Sequence, residues 1–247
     1  MSGHSKWATM KRQKGKTDAA RANVFTKIGR ELAVAVRAGG PDPNNNPRLR
    51  DCIAKARAAN MPNDNIQRSI KKASGEDSGV VYDAITYEGY GSGGVAVIVE
   101  TLTDNKNRTA AAVRHIFDKC GGSLGTTNCV SYMFESKGVI TIERTSADDE
   151  EEVMMLALDL GADDFDGSET EFYISVSPAD IDTVRDGLEK VGRKIISSEV
   201  SKIASSTVDI DEATEAKIKR MLDMFDEDDD VQNVYHNANL PEEDDEE

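Results

Sequence analysis

The chain of 247 residues has no long hydrophobic run, and that absence already excludes one class of protein. Its longest apolar stretches, such as Leu32–Val36 (LAVAV) and Val95–Val99 (VAVIV), fall far short of the roughly 20 residues a bilayer-spanning helix needs. Cysteine is scarce: Cys52, Cys120 and Cys129 are an odd, sparse set that cannot form a disulfide framework. A reducing, cytoplasmic setting is therefore expected. The basic start is not followed by an apolar core segment, so no secretory signal is expected either, and Ser2 stands where a myristoylated chain needs glycine. Histidine is nearly absent, with only His4, His115 and His236. No arrangement of nucleophile, base and orienting acid can be assembled from so few. Aromatic residues make up 5% of the chain, and Trp7 is its one tryptophan.

Positive charge is also in short supply, but its placement is informative. The chain holds 46 acidic and 30 basic side chains, a net of −16. Residues 1–72 carry 16 Lys and Arg against 5 Asp and Glu, a net of +11, while residues 73–247 carry 14 against 41, a net of −27. The stretch Gly3–Thr17 (GHSKWATMKRQKGKT) has five Lys and Arg, no acid, and the lone Trp7. Such asymmetry suggests that one part meets a polyanion while the rest keeps the molecule in solution or meets something basic. Lys6, Lys11, Arg12, Lys14, Lys16 and Arg21 can neutralise phosphates, and Trp7 can stack on a base or pack against its own domain.

Hydrophobic periodicity divides the chain further. From Ala20 to Ala38, Val24, Phe25, Ile28, Leu32, Ala35 and Val36 recur at helical spacing, with Lys27, Arg30 and Arg37 on the opposite side. Gly39-Gly40-Pro41 ends that helix. Asn46 with Pro47 starts a second, whose buried stripe is Leu49, Cys52, Ile53 and Ala56, with Arg48, Lys55 and Arg57 lying off it. A third begins near Pro62 and buries Ile66 and Ile70. Three amphipathic helices predict a small bundle, with the opening stretch lying along it as an arm or short helix.

After a linker at residues 74–79 the pattern becomes an alternation of short strands and helices. A hairpin is expected around the glycines of Gly89–Gly94, then a helix stopped by Gly121-Gly122. Next come a hairpin turning at Ser136-Lys137-Gly138, an acid-headed helix at residues 148–161, a strand at 170–177, and a helix after Pro178. A strand at 194–205, a helix at 211–225, a last strand at 231–239 and a disordered acidic tail at 241–247 complete the reading. The expected fold class is α+β.

Several apparent motifs fail on their context. Gly89-Tyr90-Gly91-Ser92-Gly93-Gly94 spells a dinucleotide fingerprint, but a strand rather than a helix follows it. Gly15-Lys16-Thr17 ends like a phosphate loop, but Met10 stands where its first glycine belongs. The ADDFDG stretch would put Ala162 and Tyr173 where a calcium loop needs oxygen ligands. His115, Cys120 and Cys129 lack metal spacing. No cofactor, metal, nucleotide, small-molecule substrate or catalytic residue is expected.

Five stretches together resemble the YebC/PmpR family, which includes the mitochondrial translational activator of cytochrome c oxidase. They are GHSKW, NPRLRDCIAKARAANMPNDNIQRSIKK, EGYGSGGVAVIVETLTDNKNRT, GGSLG and DVQNVYHNA, in one order from Gly3 to about Ala238. The chain has Ser92 where many members carry proline. The resemblance implies three domains: a helical one at 1–76, an α/β domain at 80–133 plus 205–240, and a third α/β domain at 134–204 inserted in the second. It also implies a non-enzymatic regulator of gene expression. Members are described as DNA-binding transcriptional regulators and as ribosome-associated translation factors that relieve stalling at proline-rich stretches. Carried onto this chain, the nucleic-acid-binding residues are Lys6, Trp7, Lys11, Arg12, Lys14, Lys16, Arg21, Lys27, Arg30 and Arg48. The partner is promoter DNA or ribosomal RNA, with the ribosome itself a candidate. The competing expectations are an adaptor whose acidic domains grip basic proteins, and a hydrolase working through carboxylates.

Overall fold

The structure is a computed structural model; it describes residues 18–75 and 80–240, and side chains of the first helix from residue 22 onward. The expected arm at Gly3–Thr17, the centre of the linker at residues 76–79 and the acidic tail at 241–247 lie outside the described residues.

The first three helices are α1 (Asp18–Gly39), α2 (Pro47–Ala58) and α3 (Asn63–Ser74). Their apolar stripes meet in one core: Ile28, Leu32, Ala35 and Val36 of α1 against Leu49, Cys52, Ile53 and Ala56 of α2 and Ile66, Ile70 and Ala73 of α3. Asn46 joins the first two. Its side-chain oxygen accepts from the Leu49 N–H at 3.1 Å and so caps α2. Its amide donates to the Ala35 and Gly40 carbonyls at 2.8 and 2.9 Å. One buried side chain thus satisfies backbone groups at the end of one helix and the start of the next.

The strands of the first sheet are β1 (Asp83–Tyr90), β2 (Ala96–Thr103), β3 (Ser123–Leu124) and β9 (Val231–His236). They lie in the order β3-β1-β2-β9, all antiparallel. The glycine run is the turn between β1 and β2, where Gly93 and Gly94 take φ of 72° and 76°, a region that side chains disfavour. Helices α4 (Lys106–Lys119) and α7 (Glu212–Asp226) bear on each other through Phe117 and Phe225, packed edge to face at 5.6 Å.

The second sheet comprises β4 (Phe134–Glu143), β5 (Asp164–Gly167), β6 (Glu171–Val176) and β7 (Ile195–Ala204). Its order is β5-β6-β4-β7, again antiparallel. Helices α5 (Glu150–Asp159) and α6 (Ile181–Lys190) add Val153, Ala157, Val184 and Leu188 to a core with Ile140, Ile142, Phe172 and Ile174. A short parallel pair, β8 (Val208–Asp209) with β10 (Ala238–Asn239), completes the described elements.

The sequence pattern puts a turn at Ser136-Lys137-Gly138, and the structure overturns it: β4 runs through these residues without a break. It is flanked on both sides, with Gly138 opposite Val176 on β6 and Val200 on β7. Gly138 is there for close approach. A Cβ at that position would lie 2.7 Å from Val176 Cγ2 and 3.1 Å from Ile181 Cβ. The short strand β5 falls where the sequence pattern shows only loop, because four residues ending in glycine carry too little alternation to stand out.

The chain divides into two compact units. One comprises Tyr132–Asp209 with the described residues from Asn237 to Leu240, and the other comprises the described residues up to Ser131 with Ile210–His236. The strands of the second sheet therefore all fall, in sequence, between elements of the unit that holds the first sheet. The helical residues belong with the first sheet.

Candidate nucleic-acid interface

In the described part of the helical region, burial of one stripe decides where the cations point. On α2, Leu49, Cys52, Ile53 and Ala56 face the core, which leaves Arg48, Arg50 and Arg57 exposed. On α3, Ile66, Ile70 and Ala73 face inward, which leaves Arg68, Lys71 and Lys72 exposed. The last three are spaced i, i+3 and i+4, so they share one side of the helix. Among the described residues, none of these six cations forms an ion pair with a carboxylate. Lys71 and Lys72 gain from the negative end of their helix dipole, but Arg48 and Arg50 stand in the first turn of α2, where that dipole is unfavourable to them. Stability of the helix does not explain those two arginines.

Two predicted site residues are used differently. Arg30, on α1, donates to the Leu102 carbonyl at 2.9 Å, forms an ion pair with Asp230, and stacks over the Tyr82 ring at 5.5 Å. Asp230 is itself buried and also accepts from Thr103, Arg108 and Thr109. Burial pushes its carboxyl up, but the bonds from Arg108, Thr109 and Arg30 outweigh this and hold it at about 2. Lys27 is half-buried. Burial lowers its pKa, and the neighbouring Asp226, Asp228 and Asp229 oppose that shift. The face of α1 that its sequence spacing directs to solvent is turned, at Lys27 and Arg30, toward the acidic end of α7 and the start of β9. Arg48 is exposed as expected. Lys6, Trp7, Lys11, Arg12, Lys14, Lys16 and the side chain of Arg21 lie outside the described residues.

The sequence pattern places Arg48, Lys55 and Arg57 off the stripe of α2, and the structure pairs Lys55 with Glu31 at 2.8 Å; the pattern does not single out Arg50, Arg68, Lys71 or Lys72. The signal is nevertheless present: each falls off the apolar stripe by the same periodicity that locates the core.

Among the described residues no group of three or more His, Cys, Asp or Glu is placed to hold a metal ion. The cysteines are unpaired, and burial together with Glu31 pushes the Cys52 thiol up to about 11, so it stays protonated and unreactive. His115 is exposed on α4. No helix among the described residues is long and apolar enough to cross a membrane.

Glu88 serves the fold. Its buried carboxylate accepts from the backbone N–H groups of Asn128, Val130 and Ser131 at 2.9, 2.9 and 2.8 Å, fixing the loop that follows β3. Burial raises its pKa, but those three bonds more than offset the effect.

Two family models match the chain. One, described as the TACO1/YebC protein N-terminal domain, covers residues 5–76, and the other, the TACO1/YebC second and third domain, covers residues 82–238. A relative from Clostridium botulinum (strain Okra / Type B1) is 55% identical over 242 residues, 98% of each chain, and is named "Probable transcriptional regulatory protein". A relative from Acetivibrio thermocellus is 54% identical over 238 residues, 96% of this chain and 98% of its own, and bears the same name. The crystal structure of a conserved hypothetical protein from Aquifex aeolicus is similar at 45% identity with a TM-score of 0.86, covering 98% of this chain and 99% of that one.

Proposed function

Because the chain belongs to the TACO1/YebC family, we propose that it is a non-enzymatic, cytoplasmic regulator of gene expression that binds nucleic acid through its basic N-terminal domain. The observation that carries this reading is the set of outward cations on α2 and α3, Arg48, Arg50, Arg57, Arg68, Lys71 and Lys72, exposed without carboxylate partners among the described residues. The family model of the N-terminal domain, residues 5–76, covers both these cations and the basic stretch from Lys6 to Lys16. Cations left unpaired in an otherwise acidic protein fit a phosphate backbone better than a merely solvated surface. The printed name of the relatives supports a regulatory role.

Ribosomal RNA suits this surface better than promoter DNA. The cations are spread over two helices and the N-terminal stretch, so no one helix is dressed to read base edges in a major groove. Contacts of that kind read shape and backbone.

The test is fluorescence anisotropy with the full chain, titrating labelled duplex DNA and structured RNA over a range of salt. With about four to six phosphates contacted, log K falls against log salt with a slope of roughly −3 to −5. Affinity that ignores salt, or that persists in a fragment beginning at Val80, overturns the proposal.

A further inference from the structure

The unit built on the second sheet has an outer face that its own fold leaves unused. Helix α5 buries Val153 and Ala157, and its opposite side presents Glu151, Met154, Met155 and Leu158 at the i, i+3, i+4, i+7 spacing of a single stripe. Met155 is 63% exposed, Leu158 47% and Met154 37%. Single exposed apolar residues are ordinary; three adjacent ones on one helical face call for a reason. Methionine is the residue that adapts best to a varied apolar partner.

The charge around this stripe selects the partner. Residues 132–209 hold 19 Asp and Glu against 7 Lys and Arg, a net of −12. Most of those cations are already engaged inside the unit: Lys137 with Asp163, Arg144 with Glu150, Arg185 with Asp182 and Asp186, Arg193 with Asp148, and Lys194 with Glu143. Glu151, at the head of the stripe, and Glu152 and Asp159, which flank it, form no ion pair among the described residues. Glu152 and Asp159 lie on the same side as Met155, at i−3 and i+4.

We infer that this face of α5 docks a basic amphipathic helix of a partner protein. Met154, Met155 and Leu158 receive its apolar anchors, and Glu151, Glu152 and Asp159 pair with its flanking lysines or arginines. This is helix-on-helix recognition by spaced apolar anchors, with the surrounding field steering the encounter and setting its salt dependence. It is independent of nucleic-acid binding by the helical domain.

The probe is a fluorescent synthetic peptide about five helical turns long, with leucine along one face and lysine elsewhere, titrated into the full-length protein. Binding on the order of micromolar is expected at low salt. Two triple variants separate the contributions, each with its fold checked by circular dichroism. Met154→Ser, Met155→Ser, Leu158→Ser should weaken the peptide at least about tenfold while leaving its salt slope intact. Glu151→Gln, Glu152→Gln, Asp159→Asn should flatten the salt slope. Nucleic-acid affinity should be unchanged in both. The inference is overturned if the peptide fails to bind, or if it binds the serine variant as tightly as the parent, which would mean general attraction to an acidic protein. Sedimentation showing self-association that the serine variant abolishes would also overturn it, because the stripe would then be an interface between copies of this chain.

Discussion

The Arg30 guanidinium is bound to the Asp230 carboxylate, 200 residues away in sequence, and the pair ties the helical region to the first sheet. Asp230 gathers α1, β2 and α4 at one point, since Arg30, Thr103, Arg108 and Thr109 all donate to it. Removing one member leaves a buried charge without its counterpart. Asp230→Ala is therefore expected to destabilise the fold by about 3–5 kcal/mol, read as a lowered urea midpoint. If the midpoint moves no more than for a surface substitution, the node does not hold the two parts together.

The same node has a pH signature. The Asp230 pKa is about 2 in the folded protein, below the value of roughly 3.9 for an unfolded aspartate. The depressed carboxyl stabilises the fold above the unfolded value, and that contribution is lost as pH falls through about 4 toward 2. Asp230→Asn removes the titration. The stability gap between parent and Asp230→Asn should be widest at about pH 5–7 and should shrink on acidification, as followed by urea midpoints across pH. A gap that stays constant would mean that ionisation of Asp230 contributes nothing.

Gly138 distinguishes a strand from a turn. In a solvent-facing turn a larger residue would be tolerated; in the interior of β4 it meets Val176 and Ile181. Gly138→Val should therefore destabilise by about 1–3 kcal/mol through overpacking. A thermal or urea midpoint equal to that of the parent would restore the hairpin.

What could be read from the sequence follows from how local each cause is. The three-helix core was legible, because Ile28, Leu32, Leu49, Ile53 and Ile66 repeat at the helical period and Asn46-Pro47 signals a helix start. The β1–β2 turn was legible because Gly93 and Gly94 need positive φ. Gly138 misled, because its reason for being glycine lies 38 residues on, at Val176, where no local pattern points. Arg30 misled in the same way. Its spacing puts it off the apolar stripe, and nothing near it in sequence announces Asp230. The cations of α2 and α3 were legible in principle, as the complement of a stripe already found.

The outward cations of α3 give a prediction of their own. Changing Arg68, Lys71 and Lys72 together to alanine should weaken binding to all nucleic acids alike. The magnitude of the salt slope should fall by roughly 0.9 for each phosphate that is no longer neutralised. The folding midpoint should change little, since all three are exposed. Lys11, Arg12 and Lys14 changed together should act in the same direction. If neither variant alters affinity, the basic domain is not the binding surface.

The choice between promoter DNA and the ribosome turns on the remainder of the charge. Residues 1–72 carry a net of +11 and residues 73–247 a net of −27. Acidic surfaces held near a duplex repel its phosphates over a Debye length of about 8 Å at physiological salt. A protein lying along DNA would have to point them all away. A ribosome offers RNA for the basic domain and basic protein segments for the acidic units, including the stripe on α5. Ribosomes or structured ribosomal RNA should therefore displace the protein from a promoter duplex at equal phosphate concentration, measured by loss of the duplex anisotropy signal. If one duplex sequence is instead bound about a thousandfold more tightly than random DNA at physiological salt, the protein is a sequence-specific transcription factor and the ribosomal preference fails.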